Sequence, residues 1–287
     1  MFSTPLKQRI EESLAYVLRQ RLWQPSVALV LGSGLGELAQ HVTHVTRLAY
    51  TAIPHFCPTH ANGHSGELVM GYLGGLPVVI LQGRAHRYEG IAHCQASYPV
   101  QCMQALGASV LITTNAAGGL NPRYRAGDLM VIDSHIDFLW ARRMWETTPQ
   151  AAAVSAAPSE SVASTRIPPY DCGLRERVKS LACAQHTTVH QGCYLATLGP
   201  TYETRSEYRM FRWMGADAVG MSTLPEVLAA QRLAMRTLAL SVISNVASTD
   251  TPQATSHAEV VAACQAAGPR LMSIVEALLQ ELSGQPD

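Results

Sequence analysis

The sequence predicts an α/β protein with a largely parallel sheet covered on both faces. Two observations carry this. The runs SVALVLGSG (26–34), SVLITTNAAGGL (109–120) and RTLALSVISN (236–245) are almost continuously apolar rather than alternating, as strands buried on both faces are. Helical stretches separate most such runs, and a parallel sheet needs crossover connections of that kind.

The elements follow in order. Residues 1–20 show an amphipathic helical pattern containing Glu11 and Glu12, without the apolar stretch of a secretory signal. Residues 26–34 read as a buried strand entering a glycine turn. Residues 66–75 and 76–83 read as strands joined by a turn at Gly74-Gly75. A helix is predicted over 94–108, then strands over 109–120 and 128–138. The stretch 147–169 is rich in Ala, Ser and Pro and predicts a surface loop or flexible insertion. Beyond it come a helix near 172–185, a strand at 191–200, a helix near 204–214 and a strand near 216–221. A helix near 223–235, a strand at 236–245 and a long helix from about Ser256 complete the chain. Gly268-Pro269 is expected to interrupt or kink that last helix. Residues 1–287 read as one domain without internal repeats.

Composition excludes several classes. At 47% hydrophobic and 15% charged residues, the chain can bury a sizeable core and is not broadly disordered. Lys plus Arg equals Asp plus Glu, 21 each, so no global basic field is available for nucleic acid, and an anion must be held by local groups. No apolar run approaches the ~20 residues of a membrane span. The seven cysteines include no C-x-x-C pair and read as small buried hydrophobes of a reducing compartment, hence a soluble cytoplasmic protein.

Three segments can hold an anion. The turn Gly32-Ser33-Gly34-Leu35-Gly36 offers backbone N–H groups and a hydroxyl after a strand. It is neither a dinucleotide fingerprint, because residue 37 is Glu37, nor a Walker A loop, because no Gly-Lys-Ser/Thr follows. In Gln82-Gly83-Arg84-Ala85-His86-Arg87-Tyr88-Glu89-Gly90, an extended chain would point Arg84, His86 and Tyr88 the same way. Arg supplies a planar fork for phosphate oxygens and His an adaptable donor. In Gly220-Met221-Ser222-Thr223-Leu224-Pro225-Glu226, Thr223-x-x-Glu226 reads as a capping box that places a helix N-terminus beside Ser222. A second capping box, Ser256-x-x-Glu259, puts His257 at the start of the last helix. Metal ligation is not expected. His60 and His64 flank Asn62-Gly63 in a loop, and Asp133, His135 and Asp137 make no closed ligand set. Gly32-Ser33-Gly34 is not a nucleophile elbow.

Together these segments resemble the trimeric purine nucleoside phosphorylases. The matching pieces are LGSGLG (31–36), GHSGELV (63–69), QGRAHRYEG (82–90), TNAAGGLNP (114–122), GPTYET (199–204), GADAVGMSTLPEV (215–227), ISN (243–245) and SHAEV (256–260). They span most of residues 26–265 in the family's order. The resemblance implies a single α/β domain around a twisted mixed sheet, assembled as a homotrimer. It implies phosphorolysis of purine nucleosides in purine salvage, with inorganic phosphate as co-substrate and no cofactor. Phosphate would be bound by Ser33, His64, Arg84, His86, the backbone N–H of Ala116, and Ser222. Tyr88, Met221 and His257 would meet the ribose. Glu203 and Asn245 would hold the purine, with Tyr202, Val219, Ala117 and Gly118 lining the base pocket. Asn245, Glu203, His86 and His257 are the catalytic candidates.

A Glu203 carboxylate can accept N1–H of a 6-oxopurine and an Asn245 amide can donate to N7 or O6, which suits inosine and guanosine. Two departures stand out. The family's Phe, which reaches the neighbouring subunit's ribose, has no counterpart in 140–172, and the stretch between Asn245 and His257 is VASTDTPQATS. Preference for xanthosine or a 5′-modified nucleoside, and a non-catalytic nucleoside-binding protein, remain as alternatives.

Overall fold

The computed structural model describes residues 5–61, 63–139, 168–247 and 256–284. The loop or insertion expected at 147–169 lies outside these residues apart from Pro168 and Pro169, and most of the 140–172 departure lies outside them too. So does the stretch after Ala247 as far as Thr255.

Helix α1 (Leu6–Gln20) buries Arg9, Ser13 and Val17, one side chain every four residues and therefore a single face. Strand β1 (Val27–Leu31) is buried throughout. It pairs in parallel with β4 (Leu76–Gln82) on one side and β5 (Val110–Gly119) on the other. β5 pairs in parallel with β9 (Arg236–Val246). β2 (Thr43–Ala49) and β3 (Glu67–Leu73) extend the β4 edge as antiparallel neighbours. Beyond β5, the strands β6 (Leu129–Asp137), β7 (Val189–Ala196) and β8 (Ala218–Gly220) run parallel to one another. β6 meets β9 and β8 meets β5 antiparallel, the latter only at Gly118 and Gly119. The sheet is thus mixed, with parallel pairing at its centre, as expected.

Both faces are covered. Val27, Leu29 and Leu31 of β1 pack with helices α4 (Cys172–Ala184) and α7 (His257–Ser283). The intervening Ala28 and Val30 pack with α1, α3 (Tyr98–Ala105) and α6 (Leu224–Arg232). One strand feeding two cores through its period of two is why β1 reads as an unbroken apolar run. The short helix α2 (His93–Ala96) precedes α3, and α5 (Arg205–Trp213) precedes β8.

Three expectations are corrected and one further strand is found. The helix over 94–108 is two helices hinged at Ser97, where Pro99 enters the first turn of α3. α7 continues through Gly268 and Pro269, so of the interruption or kink expected there the interruption does not occur. Its buried stripe continues on both sides of Pro269, from Val260 and Cys264 to Leu278 and Leu279, and this packing outweighs the ~3 kcal/mol penalty of an interior proline. β2 was not anticipated: its residues are mostly exposed and polar, as suits an edge strand. Finally, only Cys102 and Cys264 are buried, whereas Cys172 and Cys183 are exposed, because α4 turns both of the latter to its solvent side.

Because β1, β4, β5 and β9 are parallel, their carboxyl ends share one edge of the sheet, and the turns after them converge there. Two glycines allow the convergence. A Cβ on Gly32 would lie 2.8 Å from the Thr114 carbonyl oxygen, so no other residue lets β1 leave the sheet against β5. Gly83 turns the chain at φ +97°, with the His64 side chain occupying the space a Cβ would need.

Candidate active site

At this edge lies a cavity of about 110 Å³. Ser33, Arg84, His86, Tyr88, Ala116, Ala117, Gly118, Tyr202, Glu203, Val219, Met221, Ser222, Asn245 and His257 all line it. Every residue singled out from the sequence is therefore brought together except His64, which is outside the lining. His64 Nε2 lies 3.1 Å from the Ser33 hydroxyl, and its ring stacks on His86 with centroids 5.1 Å apart. Gly32, Asn115, Tyr208, Gly220, Ser244 and Val260 also line the cavity and were not singled out.

Arg84 and His86 are buried, with 4% and 8% exposure. The Arg84 guanidinium is held through both of its Nη atoms. Nη1 is 3.3 Å from Glu226 Oε1 and 3.4 Å from the hydroxyls of both Thr113 and Thr223. Nη2 donates to the carbonyls of Val30 (3.3 Å) and Thr114. Here the capping-box reading of Thr223-x-x-Glu226 is overturned. Thr223 sits at φ +73°, caps nothing with its side chain, and accepts a hydrogen bond from Asn115 Nδ2 at 2.8 Å. Glu226 turns inward to the guanidinium instead of back to the helix terminus. A β-branched residue with positive φ is strained by about 1–3 kcal/mol and persists only where its surroundings hold it. The polar contacts of Thr223 supply that hold, and Ser222 stands beside it at the start of α6.

Residues 87–89 form a 3₁₀ turn rather than the extended chain expected. Arg84, His86 and Tyr88 still reach one cavity, because the turn folds Tyr88 back over His86, with rings 4.8 Å apart and 13° from parallel. His86 Nδ1 lies 3.1 Å from Glu89 Oε1. Burial would raise the Glu89 carboxyl. Hydrogen bonds from the His86 side chain and from the backbone N–H groups of His60 and His86 pull it down to about 2. The carboxylate thus stays ionised and orients the imidazole. His64 is driven down to about 4, mainly by burial and then by the neighbouring His86, so it is neutral near pH 7.

Glu203 directly precedes the Thr204–Glu207 capping box of α5, in which Glu207 N–H donates to the Thr204 hydroxyl at 3.3 Å. The box satisfies the helix terminus and leaves Glu203 free of that task. Burial raises the Glu203 carboxyl, opposed by its own backbone N–H and by hydrogen bonds from Thr197 and Tyr208.

Asn245 owes its direction to a β-bulge. Ala117 pairs with Ile243 and Gly118 with Asn245, so Ser244 is the extra residue in β9. The Ser244 hydroxyl lies 2.8 Å from Asn245 Oδ1 and 3.3 Å from the Ala117 carbonyl, which favours Oδ1 as the accepting and NH₂ as the donating end of the amide. Ser256 and Glu259 cap α7 as expected, with His257 as its first residue.

Among the described residues no group of three or more His, Cys, Asp or Glu is arranged to hold a metal ion. Asp133 accepts from Ser134 and Gln191, and His135 pairs with the Tyr170 hydroxyl. Among the same residues no helix is long and apolar enough to cross a membrane.

Comparison with known proteins decides the family. The Phosphorylase superfamily profile matches residues 26–280. Purine nucleoside phosphorylase 1 of Bacillus subtilis (strain 168) is 39% identical over 280 residues, covering 96% of this chain and 99% of that protein. The chain belongs to the purine nucleoside phosphorylases of the phosphorylase superfamily. Purine nucleoside phosphorylase of Rattus norvegicus is 35% identical over 90% of each chain. Among solved structures, Schistosoma mansoni purine nucleoside phosphorylase in complex with adenosine superposes with a TM-score of 0.88 at 32% identity. That match covers 99% of this chain and all of the other. An isoform 2 purine nucleoside phosphorylase from the same organism, in complex with cytosine and ribose-1-phosphate, gives 0.88 at 31% identity over 97% and 98% of the two chains. The cavity joins a buried guanidinium among hydroxyls with an acid and an amide.

Proposed function

We propose that this cavity performs the phosphorolysis of purine ribonucleosides and deoxyribonucleosides, with inosine and guanosine preferred over adenosine. A phosphate oxygen bonds to C1′ as the bond from C1′ to N9 breaks, giving (deoxy)ribose 1-phosphate and the free base. Positive charge develops on the sugar and negative charge on the departing purine. Catalysis then depends on groups that strengthen their contacts as those charges grow. One observation carries the reading: a buried Arg84 braced through both Nη atoms and an acid–amide pair, Glu203 and Asn245, line a single cavity.

In this reading Arg84, Ser33, His86, Ser222 and the Ala116 N–H hold the phosphate, and His64 acts through Ser33. Tyr88, Met221 and His257 contact the ribose. The Asn245 NH₂ meets N7 or O6, where negative charge accumulates, and Glu203 accepts N1–H. Tyr202, Val219, Ala117 and Gly118 enclose the base. Inorganic phosphate is a co-substrate and no cofactor takes part. Residues 1–287 act as one domain, and assembly as a homotrimer in the cytoplasm follows from the family reading.

A panel of inosine, guanosine, xanthosine and adenosine, each with and without phosphate, tests the specificity. We expect the highest kcat/KM for inosine and guanosine. Equal or better use of adenosine, the ligand in the Schistosoma mansoni complex, would contradict the assigned roles of Glu203 and Asn245. Light scattering is expected to give three times the chain mass, and a monomer at working concentration would remove the trimer.

A further inference from the structure

We infer that Tyr208 and Thr197 are positioning residues that clamp Glu203 as a hydrogen-bond acceptor and thereby set which purines the cavity takes. The inference rests on the proposed function, in which Glu203 faces the base.

The clamp is built from two separate elements. Thr197 follows β7, where its N–H donates to the Gly220 carbonyl at 2.8 Å and fixes its place. Its hydroxyl lies 3.1 Å from Glu203 Oε1. Tyr208 lies on the first turn of α5, its N–H bonded to the Thr204 carbonyl at 3.0 Å. Its half-buried ring packs on a cluster containing Leu120, Leu195, Phe211 and Val219 and lines the cavity together with Glu203, whose carboxylate interacts electrostatically with its phenol. Two hydroxyls on independently anchored elements therefore address one carboxylate.

A carboxylate offers about four acceptor positions, so a substrate N–H can still be accepted with both hydroxyls in place. Donors favour the ionised form, whereas burial and the charge of Glu207 on the same helix favour the neutral form. Among the described residues, the other titratable or charged groups facing this region include Tyr202 beside it, Glu259 on α7, and Arg84, His86, Tyr88 and His257 around the cavity. Ionised Glu203 accepts N1–H of a 6-oxopurine. Protonated Glu203 would donate to N1 of a 6-aminopurine, which has no proton there. The clamp thus converts a protonation state into a choice between purines.

The test is the pH dependence of kcat/KM for inosine and adenosine in wild type, Tyr208→Phe, Thr197→Val, the double variant and Thr197→Ser. In the Phe and Val variants the acid limb for inosine should move to higher pH, the more so in the double variant. Loss of one hydrogen bond to a charged group predicts a fall on the order of tenfold within that limb. The ratio of inosine to adenosine use should fall with it, the phosphate KM should stay unchanged, and Thr197→Ser should keep the wild-type limb. An inosine limb coinciding with wild type in the double variant would overturn the clamp. Equal losses for both nucleosides at every pH, with a raised phosphate KM, would likewise overturn it as a merely structural effect. A wild-type inosine rate in Glu203→Gln would instead remove the underlying reading that Glu203 faces the base.

Discussion

Replacing Asn245 with alanine is expected to lower kcat for inosine by about 10²–10³, a loss of ~2.7–4 kcal/mol in transition-state stabilisation, with a much smaller change in nucleoside KM. The amide is not one of many donors. The bulge at Ser244 sets its direction, and the Ser244 hydroxyl, at 2.8 Å from Oδ1, favours NH₂ as the donating end of the amide. A donor fixed before reaction costs no reorganisation as charge reaches the purine, so its loss falls on kcat rather than on ground-state binding. Steady-state kinetics of the purified variant decide the matter. An unchanged kcat would separate Asn245 from the leaving group.

The second large effect is expected at Arg84. In Arg84→Met, kcat/KM for phosphate should fall by about 10²–10³, as for loss of a preorganised charged donor. The variant should also be less stable by about 3–5 kcal/mol, because Glu226, only 3% exposed, keeps a buried charge without its partner. Arg84→Met combined with Glu226→Leu separates the two consequences. Removing both charges should recover most of the stability measured by urea denaturation, while phosphate use stays lost. Recovery of phosphate use in the double variant would show that Arg84 acts only through folding.

The sequence states the fold where burial dictates residue type. β1 feeds two cores with one strand and so reads as VALVL, and β5 and β9 are legible for the same reason. β2 is paired on one side only, and its Thr, His and Arg carry no such signature. The parallel strands also account for how much of the site was legible, because chemistry placed at their carboxyl ends necessarily converges. The misreadings arise where a local pattern and a distant partner compete. Thr223-x-x-Glu226 has the spacing of a cap, but Arg84, more than a hundred residues away in sequence, captures Glu226. His64 adjoins the cavity through Ser33 and His86, contacts that no spacing encodes. Tyr208 escaped notice because a tyrosine on an exposed-looking amphipathic helix gives no sign that its phenol reaches back to Glu203. The bulge that orients Asn245 exists only in the register between β5 and β9.

The central claim is that one cavity holds phosphate against the sugar while gripping the departing purine. ³¹P NMR of the protein with inosine and inorganic phosphate tests it most directly. The account predicts a ribose 1-phosphate resonance growing in equal amount with released hypoxanthine, and no release when phosphate is omitted. Hypoxanthine appearing while the inorganic phosphate signal stays constant would contradict it.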